Sequence, residues 1–206
     1  LRYFKIDLNN LSSLEENIQI IFNKSKYDGL IHCAGEHIYK PLRTVLKKDI
    51  VNSFNVNIIS PIILTREFIK KDNYKDNASI IFISSSAAIK GNAMTSIYSS
   101  SKASQIGFVK SLAAEISANK KIRINAILPS LIKSKITDKI LKTMNNDEIS
   151  NLKKRHLLGF GDYNDIIDMV EYLMSSKGKW ITGSCFNIDG GYIGLLSSAF
   201  FYFPSH

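Results

Sequence analysis

The sequence predicts an α/β domain in which helices cover both faces of a parallel sheet. Apolar runs of strand length alternate with longer amphipathic segments along nearly the whole chain, as in proteins built from strand–helix–strand units. The strand-like runs are also nearly continuous in Ile, Val and Phe, which is typical of strands that are buried on both faces. We find no internal repeat and no low-complexity linker, so a single domain is expected.

The predicted elements follow one another in regular order. Strands are expected at residues 2–7, 29–35, 78–85, 121–130 and 183–191, where Ile, Val and aromatic residues concentrate. Amphipathic stretches between these runs predict helices at residues 11–24, 47–70, 98–119 and 164–175. The stretch from 131 to about 161 is polar and is predicted to be irregular. We assign residues 1–192 to the domain and residues 193–206 to an apolar C-terminal tail.

Composition excludes several classes of protein. The chain has 206 residues, of which 45% are hydrophobic and 22% charged, so disorder is not expected. Its formal net charge is +9, but the lysines are scattered in ones and twos without a basic block. We therefore expect no nucleic-acid partner, although the charge can steer an anionic ligand. The apolar tail is shorter than the about 20 residues that span a bilayer, so no membrane span is expected.

The two cysteines point to a reducing compartment. Cys33 and Cys185 both lie inside apolar, strand-like runs, so buried free thiols are expected rather than a disulfide. With the four histidines they form no cluster of metal-ligand spacing. A cytoplasmic protein without a metal site is the expectation.

Chemically useful side chains follow the ends of the predicted strands. Ligands bind such sheets beyond the carboxyl ends of the strands. The residues found there are Asp7, the Ala34 and Gly35 pair, Ser84 to Ser86, and the Pro129 and Ser130 pair. Ser, Gly and Pro also form turns at strand ends, but their joint placement at one edge predicts a single site.

Tyr98 and Lys102 are four positions apart and are separated only by serines. On a helix these positions share one face, so the side chains meet. A cation beside a phenol favours the phenolate, which would permit proton exchange near neutral pH. The same spacing also occurs as a solvated helix contact worth about 0.2–0.5 kcal/mol. The pair alone leaves both interpretations open.

Taken together, these motifs resemble those of the short-chain dehydrogenase/reductase family, in the shorter of its two main subclasses, over about residues 3 to 192. The Tyr-x-x-x-Lys motif of the family corresponds to Tyr98 and Lys102. Its catalytic serine, thirteen positions before the tyrosine, corresponds to Ser85, and its helix asparagine corresponds to Asn57. The resemblance implies a Rossmann-like doubly wound parallel sheet with strand order 3-2-1-4-5-6-7.

The resemblance also implies a role for each site residue. Tyr98 would be the general acid in carbonyl reduction and the base in alcohol oxidation. Lys102 would lower the pKa of the phenol and hold ribose hydroxyls, and Ser85 would hydrogen-bond the substrate oxygen. The amide of Asn57 would hold a water that links Lys102 to solvent. Asp7 would lie at the adenine, although it would also serve as the N-cap of the following helix.

NAD or NADP is the cofactor that the resemblance implies. The residues that would contact it are Asp7, Leu8, Cys33, Ala34, Gly35, Tyr98, Lys102, Pro129, Ser130, Leu131 and Ser134. The sequence departs from the family pattern where His32 and Cys33 replace two asparagines, so side-chain bonds that brace the central strands are altered. Ser130 replaces a glycine, which puts a positive φ at this position in doubt.

The glycine-rich turn that holds the pyrophosphate in this family has no counterpart in the sequence. Only Gly29 and Gly35 occur in the first ninety residues. We therefore expect an N-terminally truncated domain, without the first two strands and helices, in which the strand at residues 2–7 has no neighbour. Three interpretations stay open: a piece of an active enzyme, a truncated product that binds no cofactor, and a shortened variant with a non-catalytic role.

The function expected from the resemblance is NAD(P)-dependent hydride transfer to a carbonyl or from a secondary alcohol. The substrates implied are small molecules of the kind used by 3-oxoacyl-carrier-protein reductases and by sugar or polyol dehydrogenases. A homo-oligomer, dimer or tetramer, formed through the helices of Asn57 and Tyr98 is also implied. The alternative is a non-catalytic binding or partner subunit, which the missing glycine-rich turn and the aromatic tail suggest.

Overall fold

The computed structural model describes residues 3–22, 26–134, 137–138 and 141–194. Within these residues four strands form one parallel sheet: β1 (Tyr27–His32), β2 (Tyr74–Ile83), β3 (Arg123–Pro129) and β4 (Cys185–Ile188). They lie side by side in chain order, as the last four strands of the implied family order do. The predicted α/β class and parallel sheet are confirmed.

Helices cover both faces of this sheet. They are α1 (Leu11–Phe22), α2 (Lys47–Phe54), α3 (Ser60–Phe68), α4 (Ser96–Lys120), α5 (Asn146–Arg155) and α6 (Tyr163–Met174). On one face, residues of α1, α3 and α4 bury the side chains of Ile80, Phe82 and Ile124. On the other face, Ile81 and Ile127 pack against Ile166 and Leu173 of α6. Burial on both faces explains the nearly continuous apolar runs of β2 and β3.

The prediction of a strand at residues 2–7 is wrong for the described residues 3–7, which are irregular. A strand needs a hydrogen-bonded neighbour, and within the described residues β2 is the sole strand that pairs with β1. The following turn begins at Asp7, whose carboxylate accepts a hydrogen bond from Asn9 N at 2.9 Å. The N-cap of α1 is Asn10 rather than Asp7, because the Asn10 side chain accepts from Ser13 N at 3.0 Å.

The helix predicted at residues 47–70 is interrupted by one π-helical turn, Asn55–Ile59. In this turn Ser60 N donates to Asn55 O, five residues back. Pro61 has no N–H and cannot bond the Asn57 carbonyl as a regular helix residue would. Gln105 of α4 supplies the missing donor, with its Nε2 2.5 Å from Asn57 O. The proline therefore creates a turn that joins α2 and α3 to α4 beside Asn57.

A helix, α5, lies within the region that we predicted to be irregular. It begins with a capping box, in which the Asn145 side chain accepts from Glu148 N at 2.9 Å and Glu148 Oε2 accepts from Asn145 N at 2.8 Å. Its last turn carries Lys153, Lys154 and Arg155, whose charges complement the helix dipole. Both signals are present in the sequence, and they favour a helix more strongly than the polar composition favours irregular structure.

The expectation of two buried thiols is wrong for Cys33, which is exposed, whereas Cys185 is partly buried. Because β1 ends at His32, Cys33 begins the loop instead of continuing the strand. Both thiols are free. No helix in the described ranges is long and apolar enough to cross a membrane, and no described group of His, Cys, Asp and Glu side chains could hold a metal ion. Residues 195–206 of the predicted tail lie outside the described residues.

Candidate active site

A cavity of about 730 Å³ opens at the carboxyl ends of β1, β2 and β3. This volume lies within the range of small-molecule sites, about 300–1,000 Å³. Most of the residues that the sequence singled out line it, as the strand-end argument predicted. They are Cys33, Gly35, Ser85, Tyr98, Lys102, Pro129, Ser130, Leu131 and Ser134.

The first turn of α4 presents Tyr98 to this cavity, next to the loop that follows β2. Burial raises the pKa of the Tyr98 phenol, and a hydrogen bond with the Ser85 side chain acts in the opposite direction. Ser85 Oγ also accepts from Ala87 N at 3.1 Å, as the cap of a short 3₁₀ turn. The phenol therefore keeps its proton at neutral pH and has a hydroxyl partner fixed beside it.

Lys102 lies one helical turn after Tyr98 and is 3% exposed. Its Nζ donates to Ile83 O at 2.8 Å and lies 5.9 Å from the centroid of the Tyr98 ring. Burial lowers the pKa of Lys102 to about 8, while the nearby Cys33 thiol acts in the opposite direction. We expected Lys102 to lower the pKa of the phenol. That contribution stays a prediction, and the net pKa of the phenol is raised because burial has the largest effect on it.

Asn57 lies in the π-helical turn, where protein groups bind both ends of its side-chain amide. Oδ1 accepts from Glu36 N at 2.7 Å. Nδ2 donates to Glu36 O at 2.9 Å and to Ser101 Oγ at 2.8 Å, so both amide hydrogens have protein partners. Asn57 thus fixes the loop after β1, and it lies behind the cavity rather than in its lining.

Gly35 lies between Lys102 and Asn57. A Cβ at this position would lie 3.3 Å from Lys102 Nζ and 3.4 Å from Asn57 Oδ1. The absence of a side chain lets the backbone pass close to both groups. Ala34, the other member of the pair, is exposed and lies outside the cavity lining.

His32, which replaces an asparagine of the family motif, is a buried structural residue. Its Nε2 lies 2.8 Å from Thr65 Oγ1, which joins β1 to α3. Its ring packs on Phe82 of β2 with centroids 4.4 Å apart. Burial lowers the pKa of His32 to about 3, so the imidazole is neutral in the folded protein at neutral pH.

The loop after β3 is joined to α5 by a histidine that the sequence reasoning missed. Ser130 Oγ lies 2.8 Å from His156 Nε2, and His156 Nδ1 lies 2.8 Å from Leu152 O. Because a carbonyl only accepts, Nδ1 donates to Leu152 O, and Nε2 is left to form the hydrogen bond with the Ser130 hydroxyl. The buried ring also stacks on Tyr192, with centroids 4.5 Å apart. Ser130 does not adopt a positive φ, so replacement of glycine causes no strain there.

The predicted adenine residues lie apart from the cavity. Asp7 and Leu8 are absent from its lining, and Leu8 O accepts from Ser60 Oγ at 2.6 Å, which ties this turn to α3. Ser134 does line the cavity, but its Oγ also accepts from Thr137 N at 3.1 Å. The structure therefore brings Ser85, Tyr98 and Lys102 together with the loops after β1 and β3, and leaves Asp7 and Leu8 outside this cavity.

His37 is a second cavity residue that the sequence reasoning missed. Its ring meets the Tyr98 ring edge to face, with centroids 4.5 Å apart. Burial, and then the charge of Lys102, lower the pKa of His37. Its position two residues after Gly35, in a loop already assigned to the site, was the available signal.

Comparisons with known proteins agree with this geometry. The profile of the family described as enoyl-(acyl carrier protein) reductase matches residues 2–193. The 3-oxoacyl-(acyl-carrier-protein) reductase FabG of Buchnera aphidicola subsp. Acyrthosiphon pisum is 33% identical over 192 residues, which cover 91% of this chain and 76% of that relative. A 3-oxoacyl-(acyl-carrier-protein) reductase of Bos taurus is 29% identical and is covered over 71% of its length.

Solved structures show the same relationship. A 4-hydroxyisoleucine dehydrogenase complexed with NADH superposes with a TM-score of 0.84 at 30% identity, over 93% of this chain and 79% of that one. A short chain dehydrogenase family protein of Francisella tularensis subsp. tularensis SCHU S4 has a TM-score of 0.85 at 26% identity, over 94% of this chain and 82% of that one.

Proposed function

This chain belongs to the short-chain dehydrogenase/reductase family, and from that membership we propose that it reduces the 3-oxo group of acyl thioesters. It is an NAD(P)-dependent oxidoreductase that acts on a carbonyl or its alcohol. The observation that carries the proposal is the partly buried Tyr98 phenol beside Ser85 and Lys102, facing one cavity of small-molecule size.

The reduced nicotinamide, when bound, supplies the hydride to the carbonyl carbon. The residues of this chain then neutralise the negative charge that develops on the carbonyl oxygen. Tyr98 keeps its proton at neutral pH and donates it to this oxygen, and the Ser85 hydroxyl hydrogen-bonds the same oxygen. The product is the alcohol, and Tyr98 is reprotonated from solvent.

Several residues fit the cofactor. Among the residues that the structure describes, Lys102 Nζ has one acceptor, Ile83 O, and so has donors left for ribose hydroxyls. The Gly35 backbone lies open beside Lys102, where no Cβ intrudes. Pro129, Ser130 and Leu131 line the opposite side of the same cavity, at the end of β3. Ser134 would contact the carboxamide, while Asp7 and Leu8 at the adenine are supported by the resemblance alone.

The 3-oxoacyl thioester is proposed from the curated relatives, which are named for that reaction. We also propose a cytoplasmic location, which the two free cysteines support. A homo-oligomer formed through the helices of Asn57 and Tyr98 is supported by exposed apolar side chains there. These are Leu46, Ile50, Val51 and Ile59.

Steady-state kinetics with an acetoacetyl thioester and NAD(P)H test the proposal. Tyr98→Phe removes the proton donor and should lower kcat by at least about 100-fold. Tyr172→Phe removes the same hydroxyl from an exposed position on α6 and should leave the rate unchanged. Undiminished turnover by Tyr98→Phe, or no turnover by the wild-type chain, would contradict the proposal.

A further inference from the structure

His37 is a polar side chain in the catalytic cavity for which the reaction described above has no use. It lines the same cavity as Tyr98 and is partly buried. Among the described residues none hydrogen-bonds either ring nitrogen of His37. A half-buried imidazole without a protein partner can form hydrogen bonds with a ligand.

The His37 ring is held in place before any ligand arrives. Its edge-to-face contact with Tyr98 has centroids 4.5 Å apart, and it stacks on Tyr39 with centroids 6.3 Å apart at 17°. The loop that carries it is fixed at both ends. Glu36 is bound through both backbone groups by the Asn57 amide, and Lys40 N donates to Met94 O at 2.9 Å.

The protonation state of His37 suits a neutral ligand group. Burial and the charge of Lys102 lower the pKa of His37 below its ordinary value, so the ring is neutral at neutral pH. A neutral imidazole has one N–H donor and one acceptor nitrogen. An N–H at this place can donate to an uncharged carbonyl oxygen without adding a second cation beside Lys102.

We propose that His37 is a specificity-determining residue that donates a hydrogen bond to the second carbonyl of a 3-oxoacyl substrate. The reacting 3-oxo oxygen is held by Tyr98 and Ser85. The thioester carbonyl is two carbons away, and the aromatic contact places the imidazole directly beside Tyr98. This inference rests on the proposed function. It identifies the substrate group by which the enzyme distinguishes 3-oxoacyl compounds from simple ketones.

The test compares two substrates in wild-type protein and in His37→Phe. One substrate is an acetoacetyl thioester, and the other is the matched thioether ketone in which the thioester carbonyl is replaced by CH₂. His37→Phe keeps the ring that packs on Tyr98 and removes both nitrogens. We expect kcat/KM for the thioester to fall about tenfold, as the loss of one hydrogen bond predicts, with less than about a twofold change for the ketone.

His37→Gln keeps a side-chain N–H and should recover part of the lost preference for the thioester. An equal loss on both substrates would overturn the proposal, because His37 would then only support Tyr98. An unchanged thioester rate in His37→Phe would overturn it as well. If wild-type protein reduces the ketone but shows no preference for the thioester, this inference fails and the oxidoreductase function stands. If it reduces neither substrate, the proposed function fails and this inference fails with it.

Discussion

Buried His32 makes the stability of this protein depend on pH in a defined direction. Its pKa is lowered by burial from 6.5 to about 3 in the folded protein. Between these pH values the unfolded chain binds a proton at His32 and the folded chain does not. Stability therefore falls as the pH drops below about 6.5, and this loss ends near pH 3.

The size of the effect follows from one proton. The free energy of unfolding decreases by up to about 1.4 kcal/mol for each pH unit in this interval. Between pH 6 and pH 5 the unfolded imidazole is mostly protonated, so we expect a contribution of about 1 kcal/mol. Carboxylates titrate over the same range. They contribute equally to the pH dependence of wild-type protein and of a variant that lacks only the imidazole, so the difference between the two proteins reports on His32.

His32→Gln is that variant, because its amide can still reach Thr65 and does not titrate. Urea unfolding at several pH values between 7.5 and 4.5 gives the free energy of unfolding of each protein. The curve of wild-type protein should fall more steeply than that of His32→Gln below pH 6.5. Parallel curves would refute the assignment of a neutral, buried His32.

Two further substitutions test the site itself. Lys102 loses its charge as the pH rises through about 8, so kcat/KM should fall there. Lys102→Arg should shift this decrease in kcat/KM to higher pH. A decrease at the same pH in both proteins would exclude Lys102 as its source. Gly35→Ala places a Cβ 3.3 Å from Lys102 Nζ and should lower kcat/KM roughly tenfold. Gly107→Ala, whose Cβ meets nothing within 4 Å, should keep activity and gain about 0.5–1 kcal/mol of stability; equal losses of activity in the two variants would contradict this.

The parts of the fold that could be predicted are those with strong local or periodic signals. Strands β2 and β3 contribute side chains to the cores on both faces of the sheet. Their continuous apolar runs are the sequence pattern that such burial requires. Tyr98 and Lys102 share a helix face through their spacing alone. Ser85 and Gly35 meet them because the carboxyl ends of parallel strands share one edge of the sheet.

The parts that could not be predicted depend on partners distant in the chain. Residues 3–7 have the composition of a strand but no neighbouring strand in the described structure. The π-helical turn needs both Pro61 and the Gln105 amide, and these are brought together by packing of α4. The net effect on the Tyr98 phenol depends on its burial, which a helix spacing does not reveal. Helix α5 is a different case, because its capping box was readable in the sequence.

The claim that Tyr98 serves a hydride-transfer site is tested most directly by isotope transfer. An acetoacetyl thioester is reduced with NAD(P)H that carries deuterium in the transferable C4 position, and the product is examined by NMR and mass spectrometry. Deuterium is predicted on the carbon that bears the new hydroxyl, at a rate that Tyr98→Phe lowers by at least about 100-fold. No deuterium at this carbon, or transfer at the wild-type rate by Tyr98→Phe, would contradict the account.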